Sequence, residues 1–221
     1  MRRLILRVFL VGFVLALGVA VWAAFDLFRP YKVDIRAFDP DEIARLDTAM
    51  WRSYYSRERV RLFIELGELL DKQFHFPFWR RQLVAFYAAR SAFVFKDGKA
   101  RDDYEKALPD LRKFYTEIHD VSRSDFDVDQ AAKLELEWWI VHRQRMQYKP
   151  GDLSQALADG AAVIYGVSAD KLKEYGDLRA EAMDIRDTKA ENGGVSEDDW
   201  QRIDDLLHRS WASLHAAVNK K

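Results

Sequence analysis

The chain has 221 residues, of which 49% are hydrophobic, 14% aromatic and 32% charged, with only 10 glycines and 5 prolines. That much apolar surface offsets chain entropy and excludes collagen-like, low-complexity and wholly disordered classes. The 35 basic and 36 acidic residues leave a formal charge of -1, so no global field draws the chain to nucleic acid. The absence of cysteine excludes a disulfide scaffold, a cysteine nucleophile and Cys-ligated zinc or iron–sulfur centres.

Val8 to Phe25 is a run of 18 uncharged, mostly apolar residues. A bilayer-spanning helix needs about 20, and Leu4, Ile5 and Leu6 extend the run across an Arg7 able to snorkel, so a span over residues 4–28 is expected. Trp22, Phe25, Phe28 and Tyr31 cluster at its far end as an aromatic belt would. Arg2, Arg3 and Arg7 precede the span without an acid, whereas Arg29, Lys32 and Arg36 follow it more widely spaced. That bias expects a cytoplasmic N-terminus and an extracytoplasmic domain, periplasmic or outer-face. A cleaved signal peptide ending near Val21-Trp22-Ala23 is the rival, but the run exceeds an ordinary h-region of about 7–15 residues. Gly12, Ala16, Ala20 and Ala24 recur every fourth residue and make a small-residue stripe suited to self-association or docking on another membrane helix.

Residues 30–38 alternate apolar and polar between Pro30 and Pro40 and read as an extended linker. Asp39-Pro40-Asp41-Glu42 is a helix start, with a cap, a proline at the first position and an acid at N3. Helical periodicity then runs to about Gln73. The next helix, about Pro77–Lys96, is apolar on nearly every face between Leu83 and Phe95 and is expected to be central, surrounded by others. Phe74, Phe76, Phe78 and Trp79 flank Pro77 and suit either a bundle plug or a membrane-surface contact. Arg101–Val121 holds Pro109, which kinks a helix or starts a second one. Asp125–Asp127 caps about Val128–Tyr148, Asp152 caps Leu153–Tyr165, Ser168 caps Ala169–Glu191, and a Ser196/Asp199 capping box opens Glu197–Val218. The fold class is therefore all-α: an N-terminal transmembrane helix, then a single bundle of about seven helices. The organisation reads as an anchor over 1–29, a linker over 30–38 and a helical domain over 39–221.

The string Asp103–Leu108 after the Lys96-Asp97-Gly98 turn resembles a fragment of a tetratricopeptide repeat. No second copy occurs at the ~34-residue period, and stable arrays need about three, so no repeat family is assigned. Phosphate-cradling glycine loops, the nucleophile elbow and the His-Glu-x-x-His zinc motif are absent. His119-Asp120 resembles the adjacent pair of all-helical metal phosphohydrolases, with His75 upstream and Asp177 or Asp184 downstream. It also reads as an ordinary helix-end histidine complementing the dipole. A ferritin-like di-iron site would need Glu-x-x-His twice, and neither copy is present.

Arg90, Glu135 and His142 interrupt apolar helix faces, and Glu58 recurs with Arg61 and Glu65 near helical spacing beside Tyr54. A buried arginine keeps its charge, so Arg90 is expected to pair with Glu135 or Glu58, fixing helix register or forming a polar ligand pocket. No cofactor or metal is expected. These features point to a single-pass, membrane-anchored helical protein acting through protein contacts, as a scaffold, assembly factor or accessory subunit of an envelope complex. The alternative is an extracytoplasmic enzyme or small-ligand binder with a polar site in the bundle, such as a metal-dependent hydrolase.

Overall fold

The computed structural model describes residues 2–220, with side chains from residue 5 onward. The side chains of Arg2, Arg3 and Leu4, on which the charge bias partly rests, lie outside the described residues. Helix α1 (Arg2–Phe28) is about 40 Å long at 1.5 Å per residue, and its window Ile5–Phe28 has a mean hydropathy of 2.6 with none of it buried in the protein. After it come α2 (Pro40–Tyr55), α3 (Arg59–Phe74), α4 (Phe78–Asp97), the single turn α5 (Arg101–Tyr104) and α6 (Leu108–Val121). Then follow α7 (Val128–Arg143), α8 (Asp152–Tyr165), α9 (Lys173–Glu191) and α10 (Glu197–Asn219), with 3-10 turns at Glu105–Ala107, Arg145–Gln147 and Ala169–Leu172.

The all-α class stands, with one apolar helix of membrane-spanning length and a helical bundle beyond it. Nine α-helices follow α1 among the described residues, where about seven were expected, because two segments divide. The helix expected to reach Gln73 breaks at Ser56–Glu58, where Arg57 takes a left-handed φ of 61° and Glu58 N–H returns to the Ser53 carbonyl. No glycine or proline marks that break; the chain reverses so that α2 and α3 pack on each other. The Arg101–Val121 segment divides as Pro109 suggests, with α6 starting at Leu108 and the proline in its first turn.

Most caps are as the sequence writes them. Asp39 accepts from the N–H groups of Asp41 and Glu42, Asp127 from Gln130 N–H, and Ser196 and Asp199 form a complete capping box. Two differ. Gly151, at φ 94°, occupies the cap position of α8, so Asp152 lies inside the helix and accepts from Lys149 N–H instead. Ser168 makes no capping bond and leads into a 3-10 turn before α9.

The helices pack in a closed circuit: α2 on α3, α3 on α4, α4 on α6, α6 on α7, α7 on α8, α8 on α9, α9 on α10, and α10 back on α2. Each step joins chain neighbours except α4 to α6, which skips the single turn α5, and the last, so short loops suffice for the rest. The main core holds Leu70, Phe74, Phe76, Leu111, Ile118, Leu136, Ile140 and Leu214, and a smaller one around Trp51, Leu157, Met183, Ile203 and Leu207 fills the α2–α9–α10 side. Residues 30–38 are extended around Val33 but turn at Asp34–Ala37, where Ala37 N–H returns to the Asp34 carbonyl at 3.1 Å, and they dock on this body. Val33 N–H donates to the Val121 carbonyl and Arg123 N–H donates to the Val33 carbonyl, while Ile35 and Phe38 are 0% and 5% exposed in the main core.

The expectation of a central α4 is corrected. This helix sits in the circuit between α3 and α6, and Phe78, Phe86 and Phe93 on its outer side are each more than two-fifths exposed. Its all-round apolar character therefore reflects an inner core face and an aromatic outer face, not full enclosure.

Candidate functional site

The four residues singled out in the sequence fall into separate clusters with different partners. Arg90 makes a two-pronged ion pair with Asp110, not with Glu135 or Glu58, because it lies on the outer side of α4 beside the first turn of α6. Its side chain is 47% exposed while Asp110 is nearly enclosed, and its guanidinium also lies over the Phe86 ring. Glu58 stands at the start of α3 on the surface, near Arg61, which makes its shorter bond of 2.9 Å to Glu65. Glu135 accepts from Tyr115 O–H at 2.9 Å and Trp139 Nε1–H at 3.0 Å, joining α6 to α7. Burial, reinforced by the neighbouring Glu135 charge, pushes the Tyr115 phenol well above its ordinary range.

His142 lies 3.0 Å from Asp187, whose carboxylate also accepts from Arg186 at 2.8 Å and Arg145 at 3.3 Å. Burial works against ionising Asp187, but the bonds from His142 and Arg186 prevail and hold its pKa below the usual carboxylate value. Arg186 in turn packs 3.2 Å from the centre of the Tyr55 ring. The Asp187 oxygens are thus occupied by three partners, and neither of the two principal clefts is lined by this cluster. The arrangement ties α9 to α2 and α7.

The phosphohydrolase resemblance finds no geometry either. His75 caps α3 in a left-handed conformation and its Nε2 is 3.2 Å from the Ala37 carbonyl. His119 ends α6, stacks edge-on against Phe126 and faces Asp125 at 3.2 Å, whereas Asp177 bonds Ser154 and Lys173 on α9. Among the described residues no group of three or more His, Asp or Glu side chains is placed to hold a metal ion.

What the sequence reading missed is the junction between α1 and the bundle. Trp22 stacks on Phe78 at 5.7 Å and meets Trp79 edge-on at 5.6 Å. Asp26 accepts a short hydrogen bond from Trp79 N–H at the start of α4, whose own cap position, Pro77, has no side-chain acceptor. A carboxylate there satisfies an orphan donor and complements the helix dipole, so the end of α1 caps α4 across the chain. The signal was present as the acid that ends the apolar run, but its target 53 residues away was not readable.

Beside this joint lies a cleft of about 460 Å³ whose lining includes Leu27, Phe28, Arg29, Arg80, Glu117 and Asp120. Arg80 is 7% exposed, donates to Glu117 at 2.7 Å, and lies over the Tyr31 and Phe76 rings. Burial raises the Tyr31 phenol to about 12, against the opposing pull of Arg80. Arg29 lies over Phe25 and Tyr31 and has no ion-pair partner among the described residues. The second cleft, about 400 Å³, opens between Arg101 and α7; Arg101 pairs within it with Glu137 at 2.7 Å and Glu105 at 3.2 Å, and Lys133 pairs with Asp129 outside it.

No protein-family model matches this chain, and no curated protein or solved structure matches it.

Proposed function

We propose that the chain is a single-pass membrane protein whose helical bundle is held at the membrane surface and acts through contacts with other proteins. A scaffold, an assembly factor and an accessory subunit of an envelope complex all answer this description. The carrying observation is α1: 24 residues of high hydropathy that the bundle leaves uncovered. Such a surface is stable only in lipid or against another apolar partner. In this reading residues 1–29 are the anchor, 30–38 a docked linker and 39–221 the working domain. The arginines before the span favour an N-terminus in the cytoplasm and a bundle outside it.

Two surfaces support the protein-contact role. Gly12, Ala16, Ala20 and Ala24 are exposed, and at 100° per residue Trp22 lies about 160° around the helix from Ala20 and Ala24. The end of the stripe nearest the bundle, Ala20 and Ala24, therefore faces away from it, leaving room there for a second membrane helix to approach closely. On α4, Phe86 and Phe93 are 48% and 49% exposed, one helical side apart from the core.

The test is purification of the full chain in mild detergent, with the mass of the eluted particle and the identity of co-eluting proteins determined. A partner in fixed ratio is expected, lost in Phe86→Ser/Phe93→Ser or in Ala16→Leu/Ala20→Leu. Elution of the wild type alone, unchanged by either pair of substitutions, would contradict the reading.

A further inference from the structure

We propose that the cleft between the end of α1 and the bundle binds the headgroup of an aminophospholipid, a phosphodiester joined to a primary ammonium. This rests on the reading of α1 as a membrane span. Arg29 directly follows Phe28, the last residue of the apolar helix, which sets its guanidinium at the depth of lipid phosphates. Leu27 and Phe28 supply the apolar side of the cleft that the first acyl carbons would meet.

The charges in the cleft are two cations, Arg29 and Arg80, and two carboxylates, Glu117 and Asp120. A simple anion would meet the carboxylates, and a simple cation the arginines. A ligand carrying both charges on adjacent groups meets neither penalty. The four groups are not equivalent. Arg80 and Glu117 are bound to each other at 2.7 Å and form a fixed wall. Arg29 is without a carboxylate among the described residues, and Asp120 is 54% exposed, with Arg80 and the ring of the adjacent His119 each no closer than 3.8 Å. These two keep free hydrogen-bonding capacity: Arg29 for phosphate oxygens, Asp120 for ammonium N–H. Charge-assisted bonds of this kind are short and directional. A trimethylammonium group has no N–H to give Asp120, and a glycerol headgroup has no cation. The cleft, about 460 Å³, falls in the range of small-ligand sites.

The experiment is native mass spectrometry of the full-length chain in detergent with short-chain phosphatidylethanolamine, phosphatidylcholine or phosphatidylglycerol, and with soluble phosphoethanolamine. Membrane retention in alkaline carbonate is measured in parallel. One phosphatidylethanolamine is expected to bind roughly tenfold tighter than the other two lipids, the effect of one charge-assisted bond. Asp120→Asn should erase that preference, and Arg29→Gln should weaken all three lipids; both side chains are exposed, and unchanged thermal unfolding confirms the fold. Equal binding of the three lipids, or a preference that survives Asp120→Asn, overturns the proposal while the span stands. Soluble phosphoethanolamine binding as tightly as the lipid overturns the lipid as its source. Release of the chain by carbonate removes the span reading, and the proposal with it.

Discussion

Asp47 is 0% exposed, and one of its oxygens accepts from both Arg179 at 2.5 Å and Trp211 Nε1–H at 2.9 Å, while the other has no partner. Burial opposes the Arg179 charge, yet Asp47 beside it holds the guanidinium pKa above its ordinary value, and the rings of Trp51 and Trp211 sandwich it. Removing one partner of such a pair strands the other's charge. Arg179→Met is expected to cost about 3–5 kcal/mol of unfolding free energy, with Asp47→Leu added to it recovering much of that loss. A single-variant loss below ~1 kcal/mol in urea unfolding would contradict the coupling of this pair. The half-buried Asp199 acts through pH instead. The Ser196 bonds and Lys189 lower the Asp199 carboxyl from 3.8 to about 2. A lowered folded-state pKa means stability that is complete above about 4 and lost as pH falls through about 2. Asp199→Asn should flatten the acid limb of stability between those values; an unchanged limb would contradict the assignment. The Ser196–Asp199 pairing was legible in the sequence as a capping box, whereas the Asp47–Arg179 pair was not. Arg90, Glu135 and His142 stood out as polar groups on apolar faces, but a helical period says which side a residue takes, not which helix it meets. Arg90 met Asp110 for that reason.

At the scale of helices, most signals written within a few residues were read correctly, the caps assigned to Asp152 and Ser168 excepted, and those that depend on packing were not. The Asp39 cap and the Ser196/Asp199 box are local chemistry, whereas the α2–α3 reversal places a left-handed φ on Arg57 without a glycine. The α8–α9 pair shows how closely packing constrains composition. A Cβ built on Gly176 would lie 2.3 Å from the Ser154 carbonyl oxygen, so a backbone would have to move. Gly160 on α8 has nothing within 4 Å of the same position. Gly176→Ala is expected to destabilise by about 1–3 kcal/mol through overpacking. Gly160→Ala should be neutral or stabilise by about 0.5–1 kcal/mol, since alanine loses less entropy in a helix. Thermal unfolding of both variants checks this, and equal midpoints would contradict the close approach.

For the whole molecule, the all-α class and the apolar first helix followed from composition and periodicity alone. The closed circuit did not, because the return of α10 onto α2 is a contact between the two ends of the bundle. That closure leaves α4 at the periphery and turns Phe86 and Phe93 outward. It also gives the extended segment a place to dock, with Ile35 and Phe38 sealing the core next to Tyr165 and Trp211. The anchor and the bundle are then joined at three points: the Trp22 ring contacts, the Asp26 cap and the Val33 bridge. If α1 spans the membrane as proposed, a joint of this kind would hold the bundle at a fixed height over the bilayer, where an unattached tether would let it wander.

The central claim is that α1 spans the membrane and stays with the bundle. Alkaline carbonate extraction of membranes from cells making the full-length chain tests it most directly. The chain is expected to remain entirely in the pellet and to enter solution only with detergent. Recovery of the bundle in the carbonate supernatant would contradict the account.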